Sequence, residues 1–213
     1  MNVRTFVAFA CVGLLLGVEA ASAESASYSL TVKRHKSVVL TADDVDRILR
    51  DASALLKRKD GANDVACNVT FKRNGPVETF ESNDTPVIIK TAADRDAVHR
   101  EKADVKVVKE IDFCIVKGSY EGCTWPPELG VKSMIVTHPG ASRGIVWAHE
   151  FGHRTGLRHR NEPKALMSFC DLRRNQVNVN RDECDCFLKG PGECPGRREP
   201  SEDQMQCLMS LGN

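Results

Sequence analysis

His149-Glu150-Phe151-Gly152-His153-Arg154-Thr155-Gly156-Leu157-Arg158-His159 carries three histidines and a glutamate at spacings that fit one another. His149 and His153 stand four residues apart. On a helix that puts both imidazoles on one face, one turn apart, with a rise of roughly 6 Å. Two neutral imidazoles so placed can hold the same Zn²⁺. Glu150 follows the first histidine, so its carboxyl lies beside the ion without having to bind it. That is where a general base for water belongs. Gly156 permits a backbone turn that other residues resist, and the turn brings His159 back as a third ligand. Three protein ligands leave a fourth position open, which is the arrangement of a catalytic site. An amphipathic helix carrying histidines by chance is the competing reading. It leaves the positions of Glu150, Gly156 and His159 unexplained.

Downstream, Asn161-Glu162-Pro163-Lys164-Ala165-Leu166-Met167 sets a methionine eight residues after His159. Together these segments resemble the metzincin zinc endopeptidases, in which a methionine turn passes beneath the zinc histidines. Pro163, Ala165, Leu166 and Met167 look like the matrixin version of that turn. On this reading Met167 packs rather than ligates. The resemblance covers roughly residues 144–169, and it has departures. Arg160 stands where matrixins have Ser. Phe169 stands where astacin-like and serralysin-like members have Tyr, so no tyrosine ligand is expected. The glycine- and aspartate-rich calcium segment of matrixins is not visible.

The resemblance implies an α+β, zincin-type domain. Its parts would be a twisted mixed sheet, a long N-terminal helix, the active-site helix, the methionine turn and a C-terminal helix. It implies zinc held by His149, His153 and His159, with Glu150 as the catalytic base for hydrolysis of peptide bonds. A protein or peptide is then the expected substrate, and a monomer the expected state. Phe169 would help wall the pocket beyond the scissile bond. Two other classes stay open: a secreted binding module with a purely structural zinc centre, and a zinc hydrolase of a non-peptide substrate. A structural site needs no base, so Glu150 weighs against the first.

From its beginning, the chain reads as exported. Met1 to Ala23 has a basic start at Arg4, an apolar run from Phe6 to Val18 and a small-residue Ala21-Ser22-Ala23 ending. That is the pattern of a signal peptide, and the run is short for a membrane span. Residues 24–213 are then expected to form one catalytic domain in a secreted or periplasmic protein, with no membrane attachment after signal removal. The chain has 30 Lys and Arg against 29 Asp and Glu, a balance that gives no reason to expect a nucleic-acid partner. Of nine cysteines, Cys11 falls in the leader. Cys67, Cys114, Cys123, Cys170, Cys184, Cys186, Cys194 and Cys207 remain, an even set expected to pair as disulfides in an exported chain. Spacing fixes no pairing. A second metal site at Cys184, Cys186 and Cys194 is the alternative, though paired CxxC knuckles are missing.

Alternation predicts a first strand over 28–40. Thr41 should cap a helix over 42–58, whose stripe is Val45, Ile48, Leu49, Ala52, Leu55 and Leu56, with Gly61 as the stop. Val65–Lys72 and Val77–Phe80 read as two strands around a turn at Asn74-Gly75-Pro76. Further strands are expected at 86–90, 105–116 and 133–137, with a helix at 92–100 capped by Thr91. His99 is expected at the surface, and His138 in an exposed loop, with a place lining the cleft as the alternative. Residues 118–130 read as a loop held by Cys123 and floored by Trp125-Pro126-Pro127. Arg154 and Thr155 are expected to face solvent or to back the site. Residues 170–199 read as a stapled cysteine-rich insertion of loop composition, followed by a final helix over 201–211 with capping-box spacing at Ser201 and Gln204.

Overall fold

The computed structural model of the protein describes residues 24–124, 133–139, 144–160, 162, 164–168 and 177–194. The expected leader, Trp125-Pro126-Pro127, Pro163, Phe169, Cys170, Cys207 and the helix expected at 201–211 lie outside the described residues.

Helix α1 (Ala42–Leu56) starts as its sequence predicts. Thr41 Oγ1 accepts from the Asp44 amide, and the Asp44 carboxylate accepts from the Thr41 amide, both at 3.1 Å. Val45, Ile48, Leu49, Ala52 and Leu56 are buried along one stripe. Each large aliphatic side chain on it contributes about 1.5–3 kcal/mol of burial.

The stripe packs on a mixed sheet. Strand β1 (Ala26–Arg34) lies parallel between β2 (Val69–Thr79) and β4 (Val105–Val108). Strand β8 (Met134–Thr137) follows parallel to β4, and β7 (Gly122–Thr124) ends the sheet antiparallel to β8. One face presents Leu30, Val32, Val105, Val107, Met134 and Val136 to α1 and to helix α3 (Gly144–Thr155). The other presents Val108, Ile135 and Cys123 to a second core. That core also takes Val98 of α2 (Ala92–Arg100) and residues of a small sheet, in which β5 (Glu110–Phe113) lies between β3 (Ile88–Ile89) and β6 (Lys117–Tyr120). A sheet covered on both faces leaves every residue of β4 and β8 buried, Lys106 and Thr137 included. Gly144 decides where α3 lies: a side chain there would overlap the Asp51–Ala52 backbone, so α1 and α3 touch backbone to backbone.

Several expectations are corrected. The two strands at 65–72 and 77–80 are one strand. β2 runs through Asn74-Gly75-Pro76 as a bulge, with Leu30 opposite Arg73 and Val32 opposite Val77. Gly75 adopts φ 76°, and Pro76 is tolerated because β2 is an edge strand. The first strand stops at Arg34. Val38 and Leu40 are buried from a turn rather than a ladder. Residues 105–116 divide at Lys109, because β4 belongs to one sheet and β5 to the other. Part of the loop expected at 118–130 is strand, in β6 and β7.

The cysteine-rich insertion is not all loop either. It contains α4 (Arg181–Lys189), which buries Glu183, Cys184 and Phe187. Asn180 caps it reciprocally with Glu183. Three disulfides occur among the described residues. Cys67–Cys184 ties the approach to β2 to α4, Cys114–Cys123 ties β5 to β7, and Cys186–Cys194 closes the turn after α4. These pairings exclude the cysteine metal site considered at 184, 186 and 194.

Arg154 and Thr155 are buried, which excludes the solvent-facing one of the two placements expected for them. Arg154 Nη2 donates to Asp104, which also accepts from the Thr31 amide at 2.8 Å and the Thr31 hydroxyl at 2.7 Å. Lys106 is buried on the same sheet, where desolvation, then the Arg154 charge, draws its pKa down to about 8. Burial pushes the Asp104 carboxyl up, but the Thr31 hydrogen bonds and Arg154 outweigh it and hold the group below its ordinary value. A carboxyl depressed on folding contributes stability above its unfolded pKa of about 3.9, and that stability is lost as pH falls through the lower folded value. We therefore expect Asp104→Asn to cost about 3 kcal/mol at neutral pH. The gap from wild type should close in strong acid. Denaturant midpoints of the metal-free protein at both pH values check this.

Candidate metal centre

Helix α3 is buried nearly all round, with only His153 among its residues partly open. It ends in a Schellman turn: the Leu157 amide donates to the Gly152 carbonyl and the Gly156 amide to the His153 carbonyl, both at 3.0 Å. Gly156 takes φ 106°, as that turn demands. The chain reverses there, and His159 returns toward the helix.

The structure brings the three predicted ligands together. The Nε2 atoms of His149 and His153 lie 3.0 Å apart, those of His153 and His159 3.0 Å, and those of His159 and His149 3.3 Å. His149 Nδ1 is 2.7 Å from the Leu166 carbonyl, and His153 Nδ1 is 2.9 Å from the Leu157 carbonyl. A carbonyl only accepts, so each Nδ1 carries the proton and each Nε2 presents a lone pair. Lone pairs this close repel unless a cation lies among them. Zn–N bonds of about 2.0–2.1 Å at tetrahedral angles set N···N near 3.3 Å, so the donor set fits Zn²⁺. Among the described residues, no other group of three His, Cys, Asp or Glu side chains gathers its donor atoms in this way.

Electrostatics favour the neutral rings a metal needs. Desolvation, with repulsion from His153, takes His149 down to about 3. Burial lowers His153, and burial with the two neighbouring rings lowers His159.

Glu150 is buried, and desolvation lifts its pKa to about 8, offset a little by Thr124. Its carboxyl fills the space where a side chain on Gly122 would stand. Strand β7 therefore lies directly on the general-base candidate.

The methionine segment packs against the histidine helix. Met167 is fully buried, and its sulfur occupies the space a side chain on Gly152 would need. The Arg160 amide donates to the Met167 carbonyl at 2.7 Å, and the Leu166 amide to the Asn178 carbonyl at 2.9 Å. Arg160 Nε also lies 3.0 Å from Glu183 Oε1, which joins the segment after His159 to α4. The arginine that departs from the matrixin pattern is thus a clamp.

The other histidines stay out of the site. His99 is half-buried rather than at the surface, with Nδ1 3.2 Å from Ser133 Oγ. His138 is half-buried near Val39 and Asp44, not in an open loop. Sequence reasoning missed Gly122 and Thr124, because a three-residue strand inside a segment of loop composition carries no periodic signal. It also missed the Leu166 carbonyl, since no side chain marks a backbone acceptor.

No protein-family model matches the chain, and no curated protein matches it. Among solved structures, the chain is similar to archaemetzincin from Methanopyrus kandleri, with a TM-score of 0.49 and 13% identity over 81% of this chain and 98% of that one. It is also similar to metalloproteinase-II from Bacteroides fragilis, with a TM-score of 0.48 and 13% identity over 78% of this chain and 53% of that one.

Proposed function

We propose that this chain is an exported, zinc-dependent endopeptidase. The observation that carries the reading is the convergence of the His149, His153 and His159 Nε2 atoms, with Glu150 next to His149 on the same helix. The metzincin resemblance of residues 144–169 supports it. His149, His153 and His159 would hold the ion. When bound, zinc supplies a Lewis acid that polarises a carbonyl and makes water more acidic.

The remaining work belongs to the chain. The Leu166 and Leu157 carbonyls fix the His149 and His153 rings through Nδ1. Glu150 takes a proton from the attacking water and delivers it to the departing amine. Desolvation raises the carboxyl and so strengthens it as a base, while a cation on the three rings would favour the charged form that can take the proton. β7 stands last in the order of its sheet, and an extended substrate can add along such an edge as another strand. That route passes Glu150. Phe169 is proposed to wall the pocket beyond the scissile bond and to favour an apolar side chain there. Export is proposed from the composition of residues 1–23, and the disulfides fit an oxidising compartment.

A proteome-derived peptide library digested with purified protein tests the reading and reports subsite preference. Cleavage should vanish with a zinc chelator and return with added Zn²⁺. A zinc-loaded protein that leaves the whole library intact would end the peptidase reading.

A further inference from the structure

We propose that Thr124 is a positioning residue, whose hydroxyl donates to Glu150 Oε2 and sets the plane of the carboxyl. The proposal deepens the peptidase reading and rests on it for the role of Glu150. It starts from strand alternation. In β7, Gly122 pairs with Val136, Cys123 with Ile135 and Thr124 with Met134. Val136 and Met134 belong to the core shared with α3, whereas Ile135 and Cys123 belong to the core on the opposite face. Gly122 and Thr124 therefore both face the histidine helix. Gly122 has no side chain, and the Glu150 carboxyl occupies the vacant space. Thr124, two residues on, brings a hydroxyl to the same carboxyl.

The second observation is a pair of complementary orphans. Thr124 Oγ1 and Glu150 Oε2 are both buried, and neither has a well-formed hydrogen bond among the described residues. Thr124 is nonetheless close enough to stabilise the charged form of Glu150. A buried polar atom without a partner is costly, so two in one place rarely persist unless they serve each other. One is a donor that rotates freely and the other accepts. A small turn of the hydroxyl and the carboxyl makes the bond. Cys114–Cys123 staples β7 next to Thr124, so the donor sits on an anchored strand rather than a free loop. The carboxyl that must meet both water and a leaving amine is thereby held at one angle, with Gly122 behind it and Thr124 beside it.

Thr124→Val keeps the shape and the strand preference but removes the hydroxyl, and Thr124→Ser keeps the hydroxyl. On a cleavable peptide, Thr124→Val should lower kcat about tenfold with KM within about twofold, while Thr124→Ser stays within about twofold of wild type. A second readout needs no metal: the infrared carboxyl band of Glu150 in zinc-free protein, identified by its loss in Glu150→Gln. The band should shift in Thr124→Val and hold in Thr124→Ser. The proposal is overturned if Thr124→Val matches wild type, if Thr124→Ser loses as much as Thr124→Val, or if the band does not move. If the wild-type protein cleaves nothing, the peptidase reading fails separately, and the infrared comparison still decides whether Thr124 holds the carboxyl.

Discussion

Glu150→Gln should retain zinc and lose turnover, with kcat/KM down by about 10³-fold. The substitution keeps the volume of the side chain, which matters because Gly122 lies directly on it. The amide keeps one oxygen that can accept from the Thr124 hydroxyl, and among the described residues Oε2 has no other hydrogen-bond partner to lose. The rings of His149 and His153 are held from their far side by the Leu166 and Leu157 carbonyls, and neither anchor involves Glu150. Metal affinity and thermal midpoint should therefore stay near wild type while the proton carrier is gone. Zinc content by elemental analysis and cleavage of an unfolded protein, measured on one preparation, separate the two properties. Undiminished cleavage would remove Glu150 from the chemistry. Loss of zinc along with activity would mean that the carboxyl helps hold the ion.

The parts of this molecule that were legible in its sequence are those where local chemistry dictates residue type. His149, His153, Gly156 and His159 each answer a local demand: one helix face, one turn of rise, one positive-φ cap. Thr41 with Asp44, and Thr91 with Asp94, announce α1 and α2 for the same reason. What stayed hidden depends on partners far away in the chain. In the sequence Arg154 reads equally as a charge facing solvent or one backing the site, until Asp104, 50 residues earlier, is seen beside it. Asn74-Gly75-Pro76 gives the same signal for a hairpin turn as for a bulge on an edge strand. Only the parallel pairing with β1 distinguishes the two, and a strand carries no mark of its partner. α4 hides because cysteine and a buried glutamate do the packing that leucine does elsewhere. Its cap, Asn180 with Glu183, was present in the sequence but was masked by the surrounding Gly, Pro and charge.

The same contrast between local and distant demands gives the second large effect, at Gly156. Gly156→Ala should destabilise the fold by about 3 kcal/mol or more and weaken zinc binding about 100-fold. Two costs combine. With φ at 106°, any L side chain is strained. In addition, its Cβ would overlap the Cys194 carbonyl oxygen. That oxygen is backbone and cannot swing aside. The Cys194 amide donates to the Thr155 carbonyl at 3.0 Å, the Gly192 amide to the Arg154 carbonyl at 3.0 Å, and Cys186–Cys194 closes the segment. The end of α3 must yield instead, and His159 is the next ligand along the chain. Gly75→Ala is the control. Gly75 also has positive φ, at 76°, but a side chain there meets nothing within 4 Å. It should cost only about 1 kcal/mol, the backbone share alone, and leave zinc affinity untouched. Chelator competition and thermal midpoints on both variants resolve the strain from the collision. If Gly156→Ala binds zinc as wild type does, the turn is not what delivers His159 to the ion.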